Sequence, residues 1–174
     1  NMIRTLFINK TALEKGLKRP SINSKKTIFK KIGVVGAGMM GTGIAYTAAL
    51  NGMNVTLIDK DIEVAKKGIN DIDQILLLGL RRGKITEEQK KEVLDRITPS
   101  NSYEDLKAVN LVIEAVFEDI EIKEKVLNQI QDNIGQDTII ASNTSTLPIS
   151  ELAKSVNNQE KFIGIHFFSP VHKM

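Results

Sequence analysis

Three glycines spaced as GxGxxG, at Gly36, Gly38 and Gly41, open the part of this 174-residue sequence in which residue type and spacing could do chemistry. Each has a separate steric job: the first permits a tight turn, the second lets the backbone approach a pyrophosphate, and the third lets a helix pack close to a strand. The leading amides of such a helix, here near Met40, face phosphate oxygens. Asp59 stands 23 residues after Gly36, at the end of the next apolar run. A carboxylate there can accept from both ribose hydroxyls of an adenosine and repels a phosphate, so the pair argues for NAD over NADP. Lys60 beside it weakens that argument slightly, and a glycine turn with a solvated strand-end aspartate is the plainer alternative.

Ser145 and His166, 21 residues apart, could serve proton chemistry, because imidazole titrates near neutral pH. Read alone, residues 142–146 are a polar loop after a strand, any one hydroxyl could be a helix cap, and a lone histidine at a strand end is more often structural. Glu118 and Lys123 read alone are ordinary charges at the start of a helix.

The elements that must position these residues alternate between strand and helix from residue 28 onward, the pattern of a parallel sheet with helical crossovers. Strands are expected at residues 31–35, 54–58, around 96–97, and at 111–114, 138–141 and 162–165. A helix is expected from Met39 to about Asn51, ended by Gly52. A longer one carries Ala65, Ile69, Ile72, Ile75, Leu76 and Leu80 on one stripe and closes at Gly83. Thr86 and Gln89 have the spacing of a capping box that would start a second helix, giving a hairpin that projects beyond the sheet. Val126, Leu127, Ile130 and Ile134 mark a further helix, ended by Gly135. The fold class is therefore α/β, a Rossmann-type doubly wound and mostly parallel sheet with a helical-hairpin excursion. Residues 1–27 read as a helix or extended arm plus linker, and residues 28–174 as the dinucleotide-binding domain.

Composition narrows the partners. The 24 basic and 21 acidic residues leave a net charge of +3 without a basic tract, which argues against nucleic acid. The chain has no cysteine, so disulfides and zinc–thiolate sites are excluded, and a reducing, cytoplasmic setting is expected. No apolar run approaches the roughly 18 residues of a membrane span. The first residues lack the apolar block of a signal peptide, and Asn1 in first place suggests a fragment.

The segments GAGMMGTGIA, VIEAVFED, ASNTSTLPI and GIHFFSPVHKM, in that order, resemble the 3-hydroxyacyl-CoA dehydrogenase family, in particular the dehydrogenase module of multifunctional fatty-acid oxidation alpha subunits. The resemblance covers residues 28–174, and MIRTLFINK is similar to the connector that precedes the module, downstream of a hydratase domain. It implies that His166 is the general base and that Ser145 hydrogen-bonds the reacting oxygen beside the cofactor. It places Asn143 by the nicotinamide, and Met40, Glu118 and Lys123 in the cofactor site. Ser142 and Thr144 have no such role, and His172 is expected at the surface.

Two departures accompany the resemblance. Ser169 stands where the family often has asparagine. The family's acidic partner of the histidine lies about a dozen residues after it, whereas this sequence ends at Met174, eight residues after His166, and the family's C-terminal helical domain is expected to be missing as well. That domain implies an asparagine, much of the acyl-CoA cleft and a dimer interface. The expectation is thus NAD binding with negligible turnover by these residues alone, and an exposed patch that favours association. With the intact enzyme come an acyl-CoA substrate and a homo-oligomer or complex. The alternatives are a non-catalytic or split-gene nucleotide-binding module, or part of a stand-alone 3-hydroxybutyryl-CoA dehydrogenase.

Overall fold

A computed structural model describes residues 4–15, 17 and 27–173; within the expected arm and linker over residues 1–27, residues 18–26 lie outside the described residues. Within the N-terminal arm, a π-type segment Arg4–Asn9 runs into α1 (Lys10–Glu14). Beyond it come β1 (Lys31–Val35), α2 (Met39–Leu50), β2 (Asn54–Ile58), α3 (Ile62–Arg81), α4 (Glu87–Asp95) and β3 (Ile97–Ser100). The second half has β4 (Leu111–Glu114), α5 (Ile120–Gln131), β5 (Ile139–Ser142), α6 (Ile149–Leu152) and β6 (Phe162–Gly164).

The strands form one sheet in the order β3-β2-β1-β4-β5-β6, and every neighbouring pair is parallel. Such strands need helices on both faces, which is why β1 and β4 read as near-continuous apolar runs. Alternate residues serve opposite faces. Val34, Leu57 and Ile113 pack with Ile44 and Ile72 of α2 and α3, whereas Val35, Ile58 and Val112 pack with Leu127 and Ile130 of α5. The chain winds outward from β1 to β3, then crosses back to β4 and winds the other way to β6. The reversal leaves a crevice beyond the carboxyl ends of β1 and β4, where an open α/β sheet binds ligands.

The helical hairpin forms as its caps require. Asp61 accepts from the Glu63 amide at the start of α3, Gly83 takes φ +64° in the turn, and the Thr86–Gln89 capping box opens α4. Ala65, Gly68, Ile72 and Leu76 are buried, but Leu78, on the distal part of this roughly 30 Å helix, is exposed. Lys90 and Asp73, 2.8 Å apart, tie the two helices together.

Several boundaries differ from the sequence expectation, β3 running on to Ser100 and β5 to Ser142 among them. Helix α5 stops at Gln131 rather than at Gly135, because the Asn133 side-chain amide donates to the Gln129 carbonyl while the Asn133 backbone N–H bonds to Ile130, tightening the last turn. Strand β5 starts at Ile139 and not at Thr138, whose amide turns back to the Gly135 carbonyl. Strand β6 ends at Gly164, one residue early.

Candidate functional site

The glycine turn divides its three glycines into two kinds. Gly36, ending β1, has φ +101°, and a Cβ on it would lie 2.6 Å from the Ala115 carbonyl oxygen. A Cβ on Gly41 would lie 1.7 Å from the Gly36 oxygen. Both are demanded by the fold. Gly38 is different: its φ of −71° suits any residue, and a Cβ there would meet nothing within 4 Å. It is the N-cap of α2 and provides no side-chain cap, so the helix presents its first amides to the crevice.

Asp59, just past β2 and half-buried, accepts a 2.8 Å hydrogen bond from the Ala37 amide through Oδ2. The carboxylate therefore holds the turn and still has acceptor capacity for a second partner. Gly36, Gly38, Met40 and Asp59 line a cleft of about 500 Å³ whose other wall is apolar, with Tyr103, Phe117 and Ile122. Burial, then the charges of Asp59 and Glu114, push the Tyr103 phenol above its ordinary range.

A second hollow of about 300 Å³ adjoins the first through Met40, Ala115 and Val116 and contains Glu118, Asn143, Ser145 and His166. Here side chains, not backbone turns, set the geometry. Glu118 Oε1 accepts from Thr144 Oγ1 (2.6 Å), from the amides of Ser145 (2.7 Å) and Thr146 (2.9 Å), and from Thr146 Oγ1 (3.1 Å). Ser145 Oγ donates to the same oxygen across a long 3.3 Å. Burial opposes ionisation of Glu118, but the Thr144 hydroxyl, the Thr146 and Ser145 amides and the Lys123 ammonium outweigh it and hold the carboxyl well below the usual carboxylate range.

Lys123 lies beneath the hollow at 1% exposure, 2.7 Å from Glu114 Oε1 and 3.3 Å from Glu118 Oε2. Glu114, also fully buried, accepts from the Val116 amide and from Ser142 Oγ. Asn143 Oδ1 accepts from the Phe167 amide at 2.9 Å, tying the loop after β5 to the residue following His166. The exposed His166 ring stacks obliquely on Phe168, with centroids 4.7 Å apart, and Ser169 Oγ lies 3.9 Å from Met39 Sδ.

The structure thus brings Gly36, Gly38, Met40 and Asp59 into one hollow, and Met40, Glu118, Asn143, Ser145 and His166 into the next. Gly41 and Lys123 stay below, in its support. Ser142 and Thr144 are buried and spend their hydroxyls on Glu114 and Glu118, and His172 is exposed, edge-on to Tyr46. Sequence reasoning missed Glu114. Its signal was a charged residue closing an otherwise apolar strand, with a lysine nine residues on. Among the described residues no His, Asp and Glu cluster could hold a metal, and no helix is long and apolar enough to cross a membrane.

Known proteins resemble this chain over most of its length. The 3-hydroxyacyl-CoA dehydrogenase NAD-binding domain matches residues 31–174. The fatty acid oxidation complex subunit alpha of Pseudomonas savastanoi pv. phaseolicola is 41% identical over 169 residues, covering 97% of this chain and 23% of that protein. Its counterpart in Idiomarina loihiensis is 44% identical over 146 residues, 84% of this chain and 20% of that one. Among solved structures, the (S)-3-hydroxybutyryl-CoA dehydrogenase of Ralstonia eutropha superposes with a TM-score of 0.81 at 42% identity, over 83% of this chain and 51% of its own. The chain spans about a quarter of the length of the alpha subunits it matches. It belongs to the family of NAD-binding domains of 3-hydroxyacyl-CoA dehydrogenases.

Proposed function

We propose that this chain is the NAD-holding part of an enzyme that oxidises (S)-3-hydroxyacyl-CoA to 3-oxoacyl-CoA, within an alpha-subunit type of fatty-acid oxidation protein in the cytoplasm. The observation that carries it is the pair of adjoining hollows: an uncapped helix start with open space at Gly38 on one side, and Ser145 with His166 on the other. The residues suit the dinucleotide. Gly36, Gly38 and Met40 would receive the pyrophosphate, Asp59 the adenosine ribose, and Phe117 and Ile122 the adenine face. Glu118, Asn143 and Ser145 would border the nicotinamide end, with Gly41 and Lys123 supporting from below.

Bound NAD supplies the hydride acceptor; the chain's own residues handle the proton. His166 takes the proton of the substrate's 3-hydroxyl as the carbonyl forms, and returns it in the reverse direction. Ser145 orients that same oxygen. Its hydroxyl is available because the 3.3 Å bond to Glu118 is long and that oxygen already has four other donors. The acyl-CoA and the residues that complete its cleft belong to the longer protein, as does its assembly into an oligomer or complex.

The alignment with the Pseudomonas alpha subunit favours that context over a stand-alone 3-hydroxybutyryl-CoA dehydrogenase, since 169 aligned residues cannot fit within residues 31–174 and extend into the N-terminal arm. Calorimetric titration tests the cofactor reading. NAD binds and NADP binds at least about tenfold more weakly, a difference of 1.4 kcal/mol; equal affinities, or no binding of either, overturn it.

A further inference from the structure

The charged cluster under the second hollow has no role in a sheet that needs only apolar filling there. Glu114, Lys123 and Ser142 are each at most 1% exposed. A buried ion pair is weak evidence for stability, because desolvation offsets the attraction between the charges. Where the bonds of this cluster lead is more informative. Glu114 Oε1 takes the Val116 amide at 2.7 Å, and Lys123 Nζ donates to the Val116 carbonyl at 3.3 Å, so one residue of the cleft wall is held from both sides. Glu114 Oε2 takes Ser142 Oγ at 2.5 Å, next to Asn143. The other ammonium contact is Glu118, the carboxylate that grips residues 144–146. Every contact leads to a residue of the cleft or its immediate neighbour.

We propose that Glu114 is a positioning residue: by anchoring Lys123 it keeps Glu118 on the amides of Ser145 and Thr146, and by holding Ser142 it fixes the neighbouring Asn143. The role rests on the reading that Ser145 serves the reaction. The charges explain why an apolar residue would not serve. With Glu114 in place, Lys123 is shared between two carboxylates. Without that charge, Glu118 is the only carboxylate among the described residues left to the ammonium, and it is drawn away from the loop above. Removing both buried charges together relieves that pull.

Amide hydrogen exchange of the full chain without ligand, followed by NADH titration, tests this. In Glu114→Gln, the Ser145 and Thr146 amides exchange about tenfold faster than in the wild type while those of β1 and α2 are unchanged, and NADH affinity falls several-fold. In Glu114→Gln/Lys123→Met, exchange at the two amides returns to within about threefold of wild type. A merely structural role would raise exchange across β1, α2 and the loop together; that result, or unchanged exchange at Ser145 and Thr146, overturns the proposal. If Glu114→Gln does not fold, Ser142→Ala removes the other anchor and keeps both charges: the Asn143 amide exchanges about threefold faster while those of Ser145 and Thr146 stay as in the wild type, and unchanged exchange at Asn143 overturns the proposal. Failure of the wild type to bind NADH counts against the proposed function and leaves the exchange result to decide the positioning role.

Discussion

The two ends of the cleft are built by opposite means. The turn at the glycine end comes from contiguous chain, β1 through α2 to the end of β2, and its shape is dictated by backbone: a positive φ at Gly36, a forbidden Cβ at Gly41 and an amide held by Asp59. The serine–histidine end is gathered from β4, α5, β5 and the segment after β6, and its shape is dictated by side chains around Glu118 and the buried pair below. A backbone-built site fails by unfolding, because its parts are also the fold. One built from side chains can loosen while the sheet stays intact.

Substitution in the glycine turn gives the largest expected effect and breaks the comparison most readily. Gly41→Ala places a Cβ into the Gly36 carbonyl and is expected to cost roughly 4 kcal/mol or more in urea unfolding. Gly38→Ala, with open space around its Cβ, stays within about 0.5 kcal/mol of wild type but binds NAD about tenfold more weakly. Comparable stability losses in the two variants would end the division between structural and ligand-facing glycines. At the other end, His166→Gln in the complete polypeptide is expected to lower turnover of a 3-hydroxyacyl-CoA by about 10²–10⁴-fold with no change in unfolding midpoint, since the ring is exposed. A shifted midpoint with near-normal turnover would reverse that assignment.

Smaller effects sharpen the contrast. Asp59→Asn keeps an acceptor for the Ala37 amide and removes the charge, so stability holds while the preference for NAD over NADP shrinks by about tenfold in paired titrations. An unchanged preference would move discrimination elsewhere. For Glu118 the sign of the pH effect is fixed by its depressed folded-state titration. Its contribution to stability is complete above the ordinary glutamate range, about pH 4, and is lost as pH falls below it. The side chain is a third exposed, so the effect is modest. Urea unfolding between about pH 4.5 and 2 should fall more steeply in wild type than in Glu118→Gln; parallel curves would contradict the clamp.

The same contrast explains what could be read in the sequence. β1, α2 and β2 and the Thr86 capping box are local: strand residues 31–35, the stop at Gly52 and the Thr86–Gln89 reciprocity follow from residues within one or two turns of each other. Met40, Asp59, Asn143, Ser145 and His166 line the joined hollows, but for the last three only family likeness, not residue spacing, points to the site. Nothing near Lys123 in sequence says it is buried. Its partner Glu114 is nine residues away, at the end of a different element, and the pair meets only when α5 packs on the sheet. The end of α5 was missed for a related reason: Asn133 ends the helix with its side chain, two residues before the glycine that composition points to.

The central claim, that one dinucleotide spans both hollows, is tested most directly by mapping backbone amide shifts during titration with NAD and, separately, with AMP. NAD is expected to perturb Gly38 and Met40 together with Ser145 and His166, and AMP to perturb only residues of the glycine hollow. Perturbation by NAD confined to one hollow, or the same pattern for both ligands, would contradict it.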